Sequence, residues 1–100
     1  MKKTLYSAVY VNDAAEVKRL LEAGADPNST SKYGNPPLHR TCHRGFYGIA
    51  RLLIEHGADV NAVDGHGHTP LHWACERNYP TLIRLLIEHG ADVNMRSRTQ

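Results

Sequence analysis

The sequence lacks several features that would each indicate a particular class of protein. Its 100 residues contain two cysteines, Cys42 and Cys75, which are too few for a disulfide-stapled scaffold. The sequence contains no apolar run of about eighteen residues, the length that a membrane-spanning helix needs. Its N-terminus lacks the apolar core and the cleavage site of a signal peptide. The formal net charge of +2 requires neither nucleic acid nor an anionic membrane as partner.

Aromatic residues are also scarce, with a single Phe and a single Trp. The hydrophobic content of 41% comes mainly from Leu, Ile, Val and Ala, which suits thin layers of helices. This content excludes a disordered chain, and the length corresponds to one domain. We therefore expect a single domain over residues 1–100, in a compartment outside the secretory route, either cytoplasm or nucleus.

The chain repeats itself with a period of 33 residues. Residues 51–61 and 84–94 are identical, both reading RLLIEHGADVN, and residues 18–28 match them more loosely. A second block follows the same offset, because residues 35–42 and 68–75 share Pro-Leu-His and a Cys three positions after the His. This self-similarity predicts three stacked copies of one unit, at about 1–30, 31–63 and 64–96, with a tail at 97–100.

Each copy is predicted to form two short helices. In the third copy, Thr69 can cap a helix that begins at Pro70. This helix should end near Asn78, because Asn can adopt the left-handed conformation that stops a helix. Pro80 can then open a second helix, and Gly90 supplies its stop.

The 33-residue period, the block Thr-Pro-Leu-His-Trp-Ala at 69–74 and the ending Gly-Ala-Asp-Val-Asn at 90–94 resemble the ankyrin repeat. The resemblance implies an all-α solenoid of three helix-turn-helix repeats, with projecting β-turn fingers and a concave groove. It also implies a non-enzymatic module that binds other proteins. The second copy departs from the pattern at Pro36, which replaces the capping Thr and should weaken that helix by about 0.5–2 kcal/mol.

The last copy is expected to expose apolar surface. Leu82 and Leu85 hold positions that contact the following repeat in similar proteins, and only residues 95–100 come after the Gly-Ala-Asp-Val-Asn ending of this copy. We therefore expect self-association or further repeats at the C-terminal end.

Seven histidines invite a metal or catalytic interpretation. His39 and Cys42, like His72 and Cys75, are three residues apart and so share a helix face. Because the pairs are one repeat apart, a structural role is favoured, and the resemblance implies a His bonded to turn backbone and a Cys in the core. Equivalent cysteines should lie about 9–10 Å apart, too far for a disulfide, so two buried thiols are expected.

No catalytic set is present in the sequence. It contains neither G-x-S-x-G nor a P-loop, and its carboxylates are scattered. Asp26, Asp59 and Asp92 represent one structural position in three copies. We therefore expect no enzymatic activity, no cofactor and no metal.

Residues that the repeat does not dictate lie on the predicted inner helices and fingers, where the resemblance implies partner contact. Most of the basic residues share this side, which favours an acidic segment of another protein, and Tyr, Trp and Arg are enriched in binding hot spots. Arg40 and Trp73 hold equivalent positions, so both should face the groove; no structural role is expected to fix His66 and His68. The candidate partner-binding residues are Tyr10, Lys32, Tyr33, Asn35, Arg40, His43, Arg44, His66, His68, Trp73, Glu76 and Arg77.

Two alternatives stay open. The same basic and aromatic surface could bind nucleic acid, although the groove of this family is used mostly for proteins. The segments 53–61 and 86–94 read L-x5-D-V-N, which resembles the ankyrin segment accepted by the hypoxia-linked asparaginyl hydroxylase of animals. Asn61 and Asn94 are therefore candidate modification sites, unless both only bond within their turns.

Overall fold

A computed structural model of the protein describes residues 4–31 and 34–94. This part of the chain folds into six helices and contains no strand. None of these helices is long and apolar enough to cross a membrane. The helices are α1 (Leu5–Tyr10), α2 (Ala14–Glu22), α3 (Pro37–Arg44), α4 (Tyr47–Glu55), α5 (Pro70–Glu76) and α6 (Pro80–Glu88).

The helices form three pairs that stack in two layers. The inner helices α1, α3 and α5 make one layer, in which α3 contacts α1 and α5. The outer helices α2, α4 and α6 make the second layer, in which α4 contacts α2 and α6. The described chain measures 40 × 26 × 20 Å. The predicted all-α solenoid of helix-turn-helix repeats is confirmed.

The residue before the first turn of an inner helix decides whether a side chain caps its N-terminus. In α5 the hydroxyl of Thr69 accepts a hydrogen bond from the backbone N–H of His72, and the backbone N–H of Thr69 donates to Nδ1 of His72 at 2.8 Å. This reciprocal arrangement is a capping box. Pro36 holds the equivalent place before α3 and provides no side-chain cap, as the sequence predicts.

The inner helices end at equivalent left-handed residues. Asn12, Gly45 and Asn78 have φ values of 59°, 78° and 59°, which confirms the predicted stops and reverses the chain into each outer helix. At Gly45 there is a second requirement, because a Cβ atom there would lie 2.9 Å from the ring of Tyr79. Glycine at this position therefore permits both the turn and the packing of the third repeat.

The hydrophobic core lies between the two layers and continues through all three repeats. Val9, Leu38, Leu53 and Leu86 are almost completely buried. Leu82 and Leu85 belong to the same core, with exposed fractions of 2% and 5%. The prediction that these two leucines form an uncovered end is therefore wrong, since α6 packs them inward against its own repeat and α4.

Other residues of the third repeat are exposed where their equivalents in the second are covered. Cys75 is exposed, whereas Cys42 is fully buried. The expectation of two buried thiols is therefore wrong. Ile87 is 46% exposed, whereas Ile54, in an identical sequence segment, is 8% exposed. The third repeat covers the second at these positions, and no described residue covers the third.

An asparagine ladder joins neighbouring repeats at the base of the fingers. The side chain of Asn28 donates from Nδ2 to the carbonyl of Gly57 at 3.1 Å and accepts from the backbone N–H of Asp59 at 2.7 Å. Asn61 makes the equivalent two bonds to the third repeat at the same distances. In each repeat the Asp two residues earlier accepts from the backbone N–H of the Asn at 2.9 Å. The repeated Asp and Asn positions are thus structural.

Candidate partner-binding groove

The finger between α4 and α5 is organised by the carboxylate of Asp64. Its Oδ1 accepts the backbone N–H groups of His66 and His68, both at 2.9 Å, and its Oδ2 accepts the indole N–H of Trp73 at 3.0 Å. Burial alone would raise the pKa of Asp64, but these hydrogen bonds outweigh it and hold the pKa below its ordinary value. The carboxylate therefore fixes the indole ring of Trp73 relative to the finger.

His39 ties the second repeat to the same finger. Its side chain is 3% exposed, and Nε2 lies 2.8 Å from the carbonyl oxygen of His68. A carbonyl oxygen only accepts, so Nε2 carries the proton and donates. Burial lowers the pKa of His39, against the opposing effect of this hydrogen bond. The structural role predicted for this histidine is confirmed.

A pocket of about 150 Å³ opens on the face formed by the inner helices and fingers. Sites that enclose a whole small ligand have volumes of about 300–1,000 Å³, so this pocket suits a single side chain. Each of the three inner helices contributes to its lining. The lining residues are Tyr6, Asn35, His39, Arg40, His43, Asp64 and Trp73.

Four predicted residues meet at this pocket: Asn35, Arg40, His43 and Trp73. The expected juxtaposition of Arg40 and Trp73 is present. The ring of His43 meets that of Trp73 edge-on, with centroids 4.9 Å apart and an interplanar angle of 81°. The guanidinium of Arg40 lies 4.1 Å from the ring centroid of Tyr10, which is a cation–π distance. Tyr10 thus holds Arg40 from outside the pocket.

Three predicted residues lie beside the pocket without lining it. Arg44, Glu76 and Arg77 are exposed at the C-terminal ends of α3 and α5. Their charges nevertheless act on His43. Burial and then the positive charges of Arg77, Arg40 and Arg44 hold the pKa of His43 below its ordinary value, while Glu76 acts in the opposite direction.

The two finger histidines differ from each other. His66 is exposed, and its ring centroid lies 6.3 Å from that of His68. His68 is half-buried, with its ring 5.4 Å from that of Trp73 and its Nδ1 3.6 Å from Oδ1 of Asp64. Its carbonyl also accepts the bond from His39. The expectation that no structural role fixes His68 is therefore wrong.

The sequence interpretation missed Tyr6 and Asp64. Tyr6 lies 33 residues before His39 and so holds the same position in the first repeat. This equivalence could have identified Tyr6 as a residue of the groove. The remaining two candidates, Lys32 and Tyr33, lie outside the described residues. The described ranges contain no group of three or more His, Cys, Asp or Glu residues that could hold a metal ion.

The two candidate modification sites have different surroundings. Asn61 is half-buried, and both its amide oxygen and its amide nitrogen bond to the third repeat. Asn94 is exposed, and its backbone N–H bonds to Asp92. A reaction at Asn61 would first have to break the ladder, whereas Asn94 is accessible in the folded chain.

A family model of ankyrin repeats in three copies matches residues 5–97. The chain belongs to the ankyrin-repeat family. Ankyrin repeats are generally modules for protein–protein interaction, and the groove described above is formed by the inner helices and fingers of three such repeats.

Curated relatives of this ankyrin-repeat chain are larger proteins. The ankyrin repeat protein YahD of Escherichia coli (strain K12) is 48% identical over 54 residues, which cover 49% of this chain and 27% of that protein. The potassium channel SKOR of Arabidopsis thaliana is 41% identical over 49 residues, or 49% of this chain and 6% of the channel. The ankyrin repeat and SOCS box protein 16 of Mus musculus is 46% identical over 39 residues, which cover 39% of this chain and 9% of that protein. The chain thus spans about a quarter or less of each relative.

Proposed function

We propose that this ankyrin-repeat chain is a binding module that holds an acidic segment of a partner protein along the inner helices and fingers. The observation that carries the proposal is the pocket in which Arg40 and His43 from α3 meet Trp73 from α5 and Tyr6 from α1. Cationic groups beside aromatic rings favour a partner that presents carboxylates on an extended chain.

The groove arginines are available to a partner. No ion pair joins Arg40, Arg44 or Arg77 to a carboxylate of the described residues. Arg19 and Arg51 on the outer helices are different, because each is paired with a glutamate of its own helix, at 2.6 and 3.1 Å. A groove whose arginines have no counterion among residues 4–31 and 34–94 can gain charge-assisted hydrogen bonds from an acidic segment.

Arg40 is the best-oriented of these cations. Its guanidinium stacks on the ring of Tyr10 across the boundary between the first two repeats. Stacking limits the rotamers of a long side chain in advance, so less entropy is lost when a ligand binds. The planar guanidinium can then meet a carboxylate with two parallel hydrogen bonds.

The test measures binding of a fluorescein-labelled octaglutamate peptide by fluorescence anisotropy. We expect the double variant Arg40→Gln, Arg44→Gln to bind at least about tenfold more weakly, the loss typical of a hot-spot residue. The matched control is Lys18→Gln, Arg84→Gln, which removes the same charge from exposed positions on the outer helices. It should bind within about twofold of the wild type, because both residues are on the outer helices, do not line the pocket, and salt screens exposed charges.

Octaglutamine and a single-stranded oligonucleotide of eight phosphates serve as comparison ligands. The neutral peptide should not bind, and added salt should weaken octaglutamate binding. Equal affinity of the wild type and the groove variant would show that the segment binds elsewhere. Binding of the oligonucleotide without the acidic peptide would replace the proposal with nucleic-acid binding, since both ligands carry similar charge.

A further inference from the structure

The pocket concentrates charge and aromatic surface around one ring, that of His43. This ring stands edge-on to Trp73, 4.9 Å between centroids, and lines the same pocket as Arg40. Titratable and charged groups face it from every side of the pocket. They are His39, Arg40 and Arg44 on its own helix, Glu76 and Arg77 at the end of α5, Asp64 from the finger and Tyr6 from α1.

The state of the empty pocket follows from these neighbours. Burial and three nearby arginines hold the pKa of His43 below its ordinary value, which favours the unprotonated imidazole at neutral pH. The carboxylate of Asp64 does not counter this, because it is engaged by the indole of Trp73 and by backbone N–H groups of the finger. Glu76 favours the charged imidazole, but its effect is smaller than that of each arginine, so positive charge dominates around the ring among the described residues.

The size and lining of the pocket indicate what can enter it. Its volume of about 150 Å³ suits one side chain. The rings of Tyr6 and Trp73 offer apolar contact for a short aliphatic stem, and Arg40 offers the charge for its end. An acidic side chain combines a short stem with a carboxylate.

We propose that this pocket takes a single carboxylate side chain of the partner, and that His43 takes up one proton from solvent as the carboxylate enters. The inference rests on the proposed function and adds the anchoring group and its coupling to pH. The proton comes from a hydronium ion or a buffer acid of the solvent, whose bond to hydrogen breaks as the N–H bond of the imidazolium forms, and the conjugate base stays in solution. The incoming negative charge offsets the arginines that disfavour the imidazolium, which can then donate to the carboxylate.

Proton uptake makes the affinity depend on pH. The bound state holds one proton more than the free state, so affinity should rise as pH falls, by up to about tenfold per pH unit. The rise should stop once His43 is protonated in the free protein. The carboxylate of the ligand remains ionised until pH falls to about 4.

Isothermal titration calorimetry with octaglutamate at pH 7, in two buffers of different ionisation enthalpy, counts the protons taken up. We expect between half a proton and one proton per peptide for the wild type, and none for His43→Gln. The control His56→Gln, at the end of outer helix α4, should leave the uptake unchanged. A tetraglutamate peptide should give the same uptake as octaglutamate, because only one carboxylate enters the pocket.

The possible results distinguish a failure of this inference from a failure of the proposed function. Octaglutamate binding that depends on Arg40 without proton uptake overturns the inference alone, as does an uptake that survives in His43→Gln. Absence of any peptide binding overturns both. A second measurement needs no variant at the pocket: NMR titration of the His43 ring protons in the wild type should show a higher pKa with octaglutamate than without it, and an unchanged pKa contradicts the inference.

Discussion

Removal of one rung of the asparagine ladder tests how strongly neighbouring repeats are joined. Asn61→Ala deletes the bond from Nδ2 to the carbonyl of Gly90 at 3.1 Å and the bond from the backbone N–H of Asp92 to Oδ1 at 2.7 Å. A hydrogen bond contributes about 0.5–1.5 kcal/mol net. Water reaches this half-exposed site and replaces part of the loss, so the lower half of that range applies. The two bonds together should stabilise the fold by about 1–2 kcal/mol.

The sequence supplies a matched control for this variant. Asn94 ends the segment 84–94, which is identical to the segment 51–61 that Asn61 ends. Its backbone N–H bonds to Asp92 just as that of Asn61 bonds to Asp59. No described repeat follows Asn94 to receive a rung. Asn94→Ala should therefore change the free energy of unfolding by less than about 0.5 kcal/mol, as is usual for an exposed surface substitution.

Thermal and urea unfolding followed by circular dichroism provide the measurement. For a domain of this size, about 1–2 kcal/mol corresponds to a decrease in Tm of about 4–16 °C. Asn28→Ala, which removes the rung between the first two repeats, should show a decrease similar to that of Asn61→Ala. Equal losses for Asn61→Ala and Asn94→Ala would show that the side-chain bonds between repeats do not carry the contribution of asparagine, since both variants keep the backbone N–H that bonds within the turn.

Three further predictions concern helix capping, pH and thiol reactivity. Pro36→Thr should restore a cap to α3 and raise the free energy of unfolding by about 0.5–2 kcal/mol in urea titrations; an unchanged midpoint would contradict this. Burial lowers the pKa of His39, so the unfolded chain binds the proton first, and stability should fall below pH 6.5 by up to about 1.4 kcal/mol per pH unit. His39→Gln should flatten that slope. A maleimide should modify the exposed Cys75 in the folded protein. It should modify Cys42 only after unfolding, because burial raises the pKa of that thiol to about 12. Similar modification rates of the two cysteines, measured by mass spectrometry, would refute the assigned burial.

Features that depend on local chemistry could be predicted from the sequence. The cap at Thr69 and the left-handed stop at Asn78 require only their own residue type and the neighbouring turn. The period of 33 residues then carries each such feature to the other repeats, as at Asn12 and Gly45. The fold could therefore be predicted from the sequence, because the same local signals recur in each repeat.

Features that depend on the neighbouring repeat could not be predicted in the same way. Cys42 and Cys75 hold one repeat position, yet only Cys42 is covered. The pocket has the same origin, since Tyr6 comes from the first repeat and Trp73 from the third. The role of Asp64 depends on a hydrogen bond to a ring nine residues away, which no spacing rule for a finger anticipates.

Because identical segments differ in exposure, the repeats should unfold locally in a fixed order. Val60 is 8% exposed and Val93 is 62% exposed, although each occupies the same place in the sequence RLLIEHGADVN. Local unfolding starts where few apolar contacts must be broken. Amide hydrogens of residues 84–94 should thus exchange with solvent sooner than those of residues 51–61, and a protease would meet the third repeat before the second.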